Sequence, residues 1–335
     1  MALFPRPLLC VVLCLVKNVE SVLWILNLPL PLRLKLYTLM SKHSFKAWVL
    51  ATRPWSFPAS AMPVLVTLAY LFWRGCEVDW FTGVWTLVNV VLFHAAGNTW
   101  SDYKDYKSGV DCEDTIGGVS ITSGEFAACE IKTLAMVLLV VASVGGLVLL
   151  WLKGLPVLLL GLVGCVLTLL YPWLKYRALG DVDIFITYSI LPMLGTSYVA
   201  SGAFFFDILW LSVPVGLITV AILHANNMRD VQYDRRADIV TFAMKIGAKA
   251  SAGIYGFEIL FPFVWCVICV VLGVLPLWAL LVLLAFKPAM DNVRSAMRYV
   301  AEGGSAVAHH DELTAKLQLL FSMMLTISLF VASFV

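Results

Sequence analysis

From residue 57 to the C-terminus the chain is built of apolar runs close to membrane-spanning length, separated by short islands that hold nearly all of its charge. A run of about 20 apolar residues is what an α-helix needs to cross the hydrocarbon core of a bilayer. Inside that core each backbone polar group must be satisfied within the protein, so only helices and closed barrels span it. These runs are too long and continuous for barrel strands, which alternate and need about 10 residues. Composition agrees: 61% of the 335 residues are hydrophobic and 13% charged, against about a quarter charged in soluble domains.

Nine spans are expected, at about 57–74, 80–98, 132–152, 155–173, 184–204, 208–226, 251–273, 275–290 and 316–335, the eighth being short. The expected fold is all-α, a polytopic membrane bundle of about nine transmembrane helices around a central cavity. Residues 40–335 form one domain, and residues 1–39 an atypical N-terminal extension. Its apolar stretch Pro7–Val16 is too short to span and lacks the flanks of a signal peptide, while Met40 opens a basic leader (Lys42, His43, Lys46) and is the expected biological start. Basic residues set orientation. Outside the spans, one side holds Arg74 and Lys153, and the other holds most of the rest, so the N-terminus and the aspartate-rich loops are expected in the cytoplasm. A net charge of +2 without a basic cluster gives no reason to expect nucleic acid.

Two loops carry chemistry. After the second run, Asn98, Asp102 and Asp105 recur at i, i+4, i+7, which places three oxygen-bearing side chains on one helical face. After the sixth, Asp230, Asp234 and Asp238 recur at i, i+4, i+8, with Asn226 one turn earlier. Like charges so spaced destabilise an isolated helix. Two such stacks at equivalent places on one membrane side point to a shared cation. Hard oxygens suit Mg²⁺, which is usually held by carboxylates together with substrate phosphates. Facing each other, the stacks suit a Mg²⁺-diphosphate, with Arg229 and Arg235 or Arg236 beside the phosphate oxygens. Other features have plainer readings. Cys266 and Cys269 lie in an apolar run and read as core; His94 reads as a hydrogen-bonded core residue. His309-His310-Asp311-Glu312 looks metal-like, but adjacent residues point different ways on a helix. Thr122-x-x-Glu125 reads as a capping box before the third span. Glu258, inside the seventh run, is a functional candidate by position or an interhelical hydrogen-bond partner.

The two motifs resemble those of the UbiA-type intramembrane prenyltransferases, most closely the 1,4-dihydroxy-2-naphthoate polyprenyltransferases of menaquinone synthesis. The likeness covers about residues 46–335. It rests on Arg53-Pro54-Trp55-Ser56-Phe57-Pro58-Ala59-Ser60, Asp105-Tyr106-Lys107-Ser108-Gly109-Val110-Asp111 with Asp114, Tyr171-Pro172-Trp173-Leu174-Lys175-Tyr176 with Leu179-Gly180-Asp181, Asn226-Asn227-Met228-Arg229-Asp230 with Asp234, and Leu313-Thr314-Ala315-Lys316. Ser101 and Val240 depart from the pattern, standing where relatives often have Asn and a basic residue. The resemblance implies that Asn98, Asp102 and Asp105 hold Mg²⁺-diphosphate from one side and Asp230 and Asp234 from the other, with Asp111 and Asp238 as further candidates. It implies that Lys175 neutralises diphosphate charge and that Tyr171 lines the cavity. Arg53 takes the acceptor carboxylate or the diphosphate, or is an interfacial anchor.

The implied reaction transfers a polyprenyl group from polyprenyl diphosphate to dihydroxynaphthoate with loss of CO₂, in contact with membrane lipid, and implies a bacterial inner membrane as the location. Rival readings are another aromatic acceptor, such as 4-hydroxybenzoate or a tetrapyrrole, and an ion-coupled transporter using the aspartates.

Overall fold

The computed structural model describes residues 43–111 and 119–335, so the 1–39 extension and Asp114 lie outside the described residues. The chain divides into two compact units, Met1–Thr52 and Arg53–Val335. The described part of the first is a short helix, α1 (Phe45–Ala51), whose N-cap Ser44 accepts the Ala47 N–H at 3.1 Å.

The second unit comprises α2 (Pro58–Trp73), α3 (Trp80–Ser108), α4 (Val119–Thr122), α5 (Ala128–Lys153), α6 (Leu155–Lys175), α7 (Gly180–Phe185), a π-helical segment (Ile186–Ile190), α8 (Leu191–Ser201), α9 (Leu209–Arg229), α10 (Val231–Arg236), α11 (Phe242–Ile246), α12 (Ala248–Val271), a 3₁₀ stretch (Leu277–Ala285), α13 (Phe286–Met297), α14 (Tyr299–Glu302) and α15 (His310–Ala332). Among the described residues there is no strand, only one isolated bridge between Arg177 and Val240. Among the described residues eight helices are long and apolar enough to cross a membrane. The eighth expected run is the 3₁₀ stretch leading straight into α13. Its threefold period lines up Ala279, Val282 and Ala285, all 0% exposed, while Leu277 and Leu284 point outward. The chain is thus an integral, multi-pass membrane bundle.

Sequence chemistry sets the helix ends. Pro58 sits at the first position of α2, where a missing N–H costs nothing. Asp79 caps α3 by accepting the Thr82 N–H at 3.1 Å and also binds Lys153 at 2.8 Å. The expected capping box at Thr122 does not form: α4 ends there, and the third span starts at Ala128. Glu130 instead reaches back to the Ala127 N–H at 2.7 Å. α9 runs through the middle, packed between α12 and α15, while α15 also lies along α2 and α3 lies along α5. α6 has no fully buried residue, and Leu155, Leu159, Leu162, Leu169 and Leu170 are exposed, as suits a lipid-facing helix.

The fifth span meets α9 at Gly216. A Cβ added there would stand 2.6 Å from a Phe185 ring carbon and 2.8 Å from the Ser189 Cβ, beside the bond from the Ser189 hydroxyl to the Ser212 carbonyl at 2.7 Å. Overpacking of this kind typically costs about 1–3 kcal/mol. Gly216→Ala is therefore expected to lower the unfolding temperature in detergent, whereas Gly161→Ala, where an added Cβ meets nothing within 4 Å, leaves it unchanged. Equal melting of both variants would show that the two spans are not in such close contact.

Candidate active site

The helix of the second span continues past its apolar run to Ser108, so Asn98, Asp102 and Asp105 do share one helix. Asp102 and Asp105 are buried, at 1% and 7% exposure. Gly109 then adopts φ 76°, a left-handed position that glycine fills at little cost. The Val110 N–H bonds the Asp105 carbonyl at 2.9 Å and the Gly109 N–H the Tyr106 carbonyl at 3.2 Å, the Schellman pattern. The turn folds the chain back, and the Asp111 N–H also reaches the Asp105 carbonyl, at 3.2 Å.

Arg53 forms an ion pair with Asp102. Its backbone is left-handed, φ 57° and ψ 59°, directly before Pro54, a conformation that bulky residues avoid. Arg53 is thus neither a bare interfacial anchor nor an unengaged cation. The Asn98 amide donates to the Ser56 hydroxyl at 2.9 Å. His94, buried as expected of a core residue, touches Ser60 Oγ at 3.0 Å and Ser56 Oγ at 3.3 Å.

The end of the fourth span approaches from another side. Lys175 Nζ lies 3.8 Å from Asp105 Oδ2, and the Tyr176 hydroxyl donates to Asp105 Oδ1 at 2.8 Å. Burial, and after it the charge of Asp105, pushes the Tyr176 phenol up to about 12, so it stays a donor. Ser101 Oγ donates to Asp105 Oδ2 at 3.3 Å. Tyr171 is half-buried and within electrostatic reach of both Lys175 and Arg53.

The second acidic motif differs from the single helix face expected of it. α9 ends at Arg229 and α10 restarts at Val231, with Asp230 at the joint (φ −92°, ψ 5°). Asp234 remains inside and buried. α10 stops at Arg236, and Asp238 is exposed in a left-handed conformation with φ 54°. The i+8 position has left the helix, so Asp238 is not brought to the site with its neighbours. Arg229 is already committed: it grips both oxygens of Asp230, at 2.7 and 2.8 Å, and donates to Asp311 at 2.8 Å. Tyr176, Ser56 and Asp311 had no role assigned from sequence, since only packing of distant segments brings them here.

The two motifs share one electrostatic field. Burial, and then the like charge of Asp105, pushes the Asp111 carboxyl up to about 6, with Asp230 contributing from the opposite loop. Burial pushes Asp234 up to about 6 as well, against the opposing charge of Lys175 and with the help of Asp230 and Asp105. Asp234 Oδ2 and Asn226 Oδ1 are buried without a hydrogen-bond partner. Orphaned acceptor oxygens beside several carboxylates are the donor set that a hard divalent cation takes, so the residues present fit Mg²⁺.

Residues 60–293 match the UbiA prenyltransferase family. The chain belongs to that family. It is 33% identical over 229 residues to the UbiA prenyltransferase domain-containing protein 1 of Danio rerio, covering 66% of this chain and 68% of that protein. It is 31% identical over 228 residues to the same-named protein of Xenopus tropicalis, covering 66% of each. The match thus spans about two thirds of these relatives' length. Among solved structures, digeranylgeranylglyceryl phosphate synthase superposes with a TM-score of 0.57 at 15% identity, over 87% of this chain and 100% of that one. A UbiA homolog of Archaeoglobus fulgidus bound to GPP and Mg²⁺ gives a TM-score of 0.56 at 12% identity, over 86% of this chain and 100% of that one. At such identities these two bear on the fold. The two sequence relatives are animal proteins, so the bacterial location expected from the sequence finds no support in them.

Asp111 and Asp234 titrate higher in the folded chain than an unfolded carboxyl near 3.9. Protonation therefore favours the folded state: this contribution is fully present below about pH 3.9 and is lost as pH rises through about 6. A bound divalent cation would replace the lost protons. Mg²⁺ is accordingly expected to raise the melting temperature by a few degrees at pH 7.5 and by much less at pH 5, measured by thermal unfolding in detergent. An equal shift at both pH values would place the cation elsewhere.

Proposed function

We propose that this chain transfers a polyprenyl group from its diphosphate to an aromatic acceptor, with 1,4-dihydroxy-2-naphthoate the preferred acceptor and CO₂ lost from the alkylated carbon. The observation that carries the prenyl-transfer reading is the meeting of two acidic motifs with Lys175, which stands 3.8 Å from Asp105 and within electrostatic reach of Asp234. The naphthoate preference rests on the motif resemblance, above all Arg53 to Ser60 and Asp105 to Asp111.

Asn98, Asp102, Asp105, Asp230 and Asp234 would hold the cation, with Asn226 and Asp111 near it. When bound, Mg²⁺ supplies charge that stabilises the departing diphosphate. Lys175 adds a fixed positive charge beside Asp105 where the phosphate oxygens gather negative charge, and preorganised charge of this sort is the larger part of many rate enhancements. Tyr176 and Ser101 hold the Asp105 carboxylate at a set angle. Arg53 does the same for Asp102, and Arg229 for Asp230. The allylic C–O bond ionises, the electron pair leaving with the diphosphate. The bundle keeps water from the cation so formed, and the ring of Tyr171 offers it an electron-rich face. The acceptor ring, activated by its hydroxyls, attacks the allylic carbon, and loss of CO₂ restores its aromaticity. The prenyl tail extends toward lipid. Family membership sets the transporter reading aside. A different aromatic acceptor, such as 4-hydroxybenzoate, would use the same diphosphate end.

The test is prenyl transfer by purified protein with dihydroxynaphthoate and labelled polyprenyl diphosphate, with Mg²⁺ or EDTA. Product with CO₂ release is expected only with Mg²⁺, and turnover in Asp102→Ala and Asp230→Ala should fall by about 10²-fold or more. Turnover with another aromatic only would correct the acceptor, and no diphosphate cleavage with any acceptor by folded protein would overturn the reading.

A further inference from the structure

Behind the sixth span, outside the diphosphate end just described, stands a second polar cluster. Asp181 on α7, His224 on α9 and Glu258 on α12 bring one ligand atom each within 4.8 Å of one another. His224 is 0% and Glu258 5% exposed. The Nδ1 of His224 lies 2.9 Å from Glu258 Oε2, and its Nε2 lies 2.7 Å from the buried hydroxyl of Ser251. The pair His224–Glu258 by itself is an ordinary interhelical hydrogen bond, one of the two readings open for Glu258 from sequence.

Asp181 is what that reading leaves over. Both of its carboxylate oxygens are buried without a hydrogen-bond partner. It stands beside a second carboxylate, and both line an open cleft of about 330 Å³ together with Val182, Phe185, Leu217 and Phe257. With both carboxylates ionised the cluster stays net negative even if the ring is protonated, and a buried charge of this kind is balanced either by a proton or by a cation. Ser251 can hold Nε2 and leave Nδ1 facing the carboxylates, the outer-shell hydrogen bond typical of metal-ligating histidines. The 2.9 Å between Nδ1 and Oε2 is close to the edge of a coordination octahedron with bonds of about 2.1 Å.

We propose that Asp181, His224 and Glu258 bind a second divalent cation, of the class that accepts imidazole together with carboxylates (Mn²⁺, Fe²⁺ or Zn²⁺). The ion ties the fifth, sixth and seventh spans together just behind the α9–α10 joint and takes no part in diphosphate chemistry. A catalytic-end cation rests on oxygen ligands alone, so the two ions differ in ligand type.

Mn²⁺ added to the purified chain separates them, because in pulsed electron paramagnetic resonance a directly bound imidazole gives a much stronger ¹⁴N coupling than nitrogens that only stand near the ion, and it is this strong coupling that is read. A ¹⁴N-coupled Mn²⁺ is expected in the parent, in Asp102→Ala and in His94→Gln. In Asp181→Asn its affinity should fall at least tenfold, and in Glu258→Gln the same loss is expected. Because Asp181 has no protein partner to lose, Asp181→Asn should fold, which a parent-like melting temperature without metal would verify; Glu258→Gln also breaks the His224 bond and is the secondary variant. Absence of ¹⁴N coupling in the parent at saturating Mn²⁺, coupling that survives Asp181→Asn at parent affinity, or coupling that disappears in His94→Gln would each overturn the assignment.

Discussion

Carboxylates gathered where water cannot hydrate them must be balanced by other charge, and one end of this bundle is organised by that requirement. Arg53 serves Asp102, Lys175 and Tyr176 serve Asp105, and Arg229 serves Asp230. The partners come from the entry to the first span, the end of the fourth and the end of the sixth. The Arg53–Asp102 and Lys175–Asp105 pairings therefore join separate helices as well as neutralising charge, and Arg229 does so by also holding Asp311. Breaking a buried pair from one side commonly costs about 3–5 kcal/mol, because the remaining charge stays buried. The bonds that shape the site are thus also bonds that hold the helix ends together, and the acceptor oxygens left over on Asn226 and Asp234 mark where balance has still to be supplied.

How much of this was legible in the sequence follows from how far apart the cooperating residues lie. The membrane restricts the backbone to helices, so the apolar runs could be read as spans, and the i, i+4, i+7 spacing of Asn98, Asp102 and Asp105 survived as a shared helical face because the helix continues beneath it. The same logic failed for Asp238. Spacing assumes an unbroken helix, and the chain breaks at Asp230 and again after Arg236. Pairings set by packing were out of reach: Arg229 meets Asp311 across 82 positions and Tyr176 meets Asp105 across 71. No local pattern announces either. Thr122 shows the converse, a correct local signature that the chain does not use, since Glu130 closes the third span's start instead.

The sixth span has two chemically distinct faces. His224 and Asn226 are two positions apart, about 200° around a helix, so one looks toward Glu258 and the other belongs with the acidic motif at the helix end. A single apolar run with a polar ending conceals that division. It becomes visible only when α12 and α7 are seen on one side and the acidic end on the other.

The 3₁₀ stretch Leu277–Ala285 changes what length means for the eighth segment. A 3₁₀ helix rises about 2.0 Å per residue against about 1.5 Å in an α-helix. Its nine residues thus cover about 18 Å, where α-helical winding would give about 14 Å. Drawn out in this way, a segment with too few apolar residues by ordinary counting gains reach across the hydrocarbon layer. The small side chains of Ala279 and Ala285 line its narrow inner ridge and let so thin a helix lie close against α15. Counting residues measures sequence, whereas a bilayer measures distance.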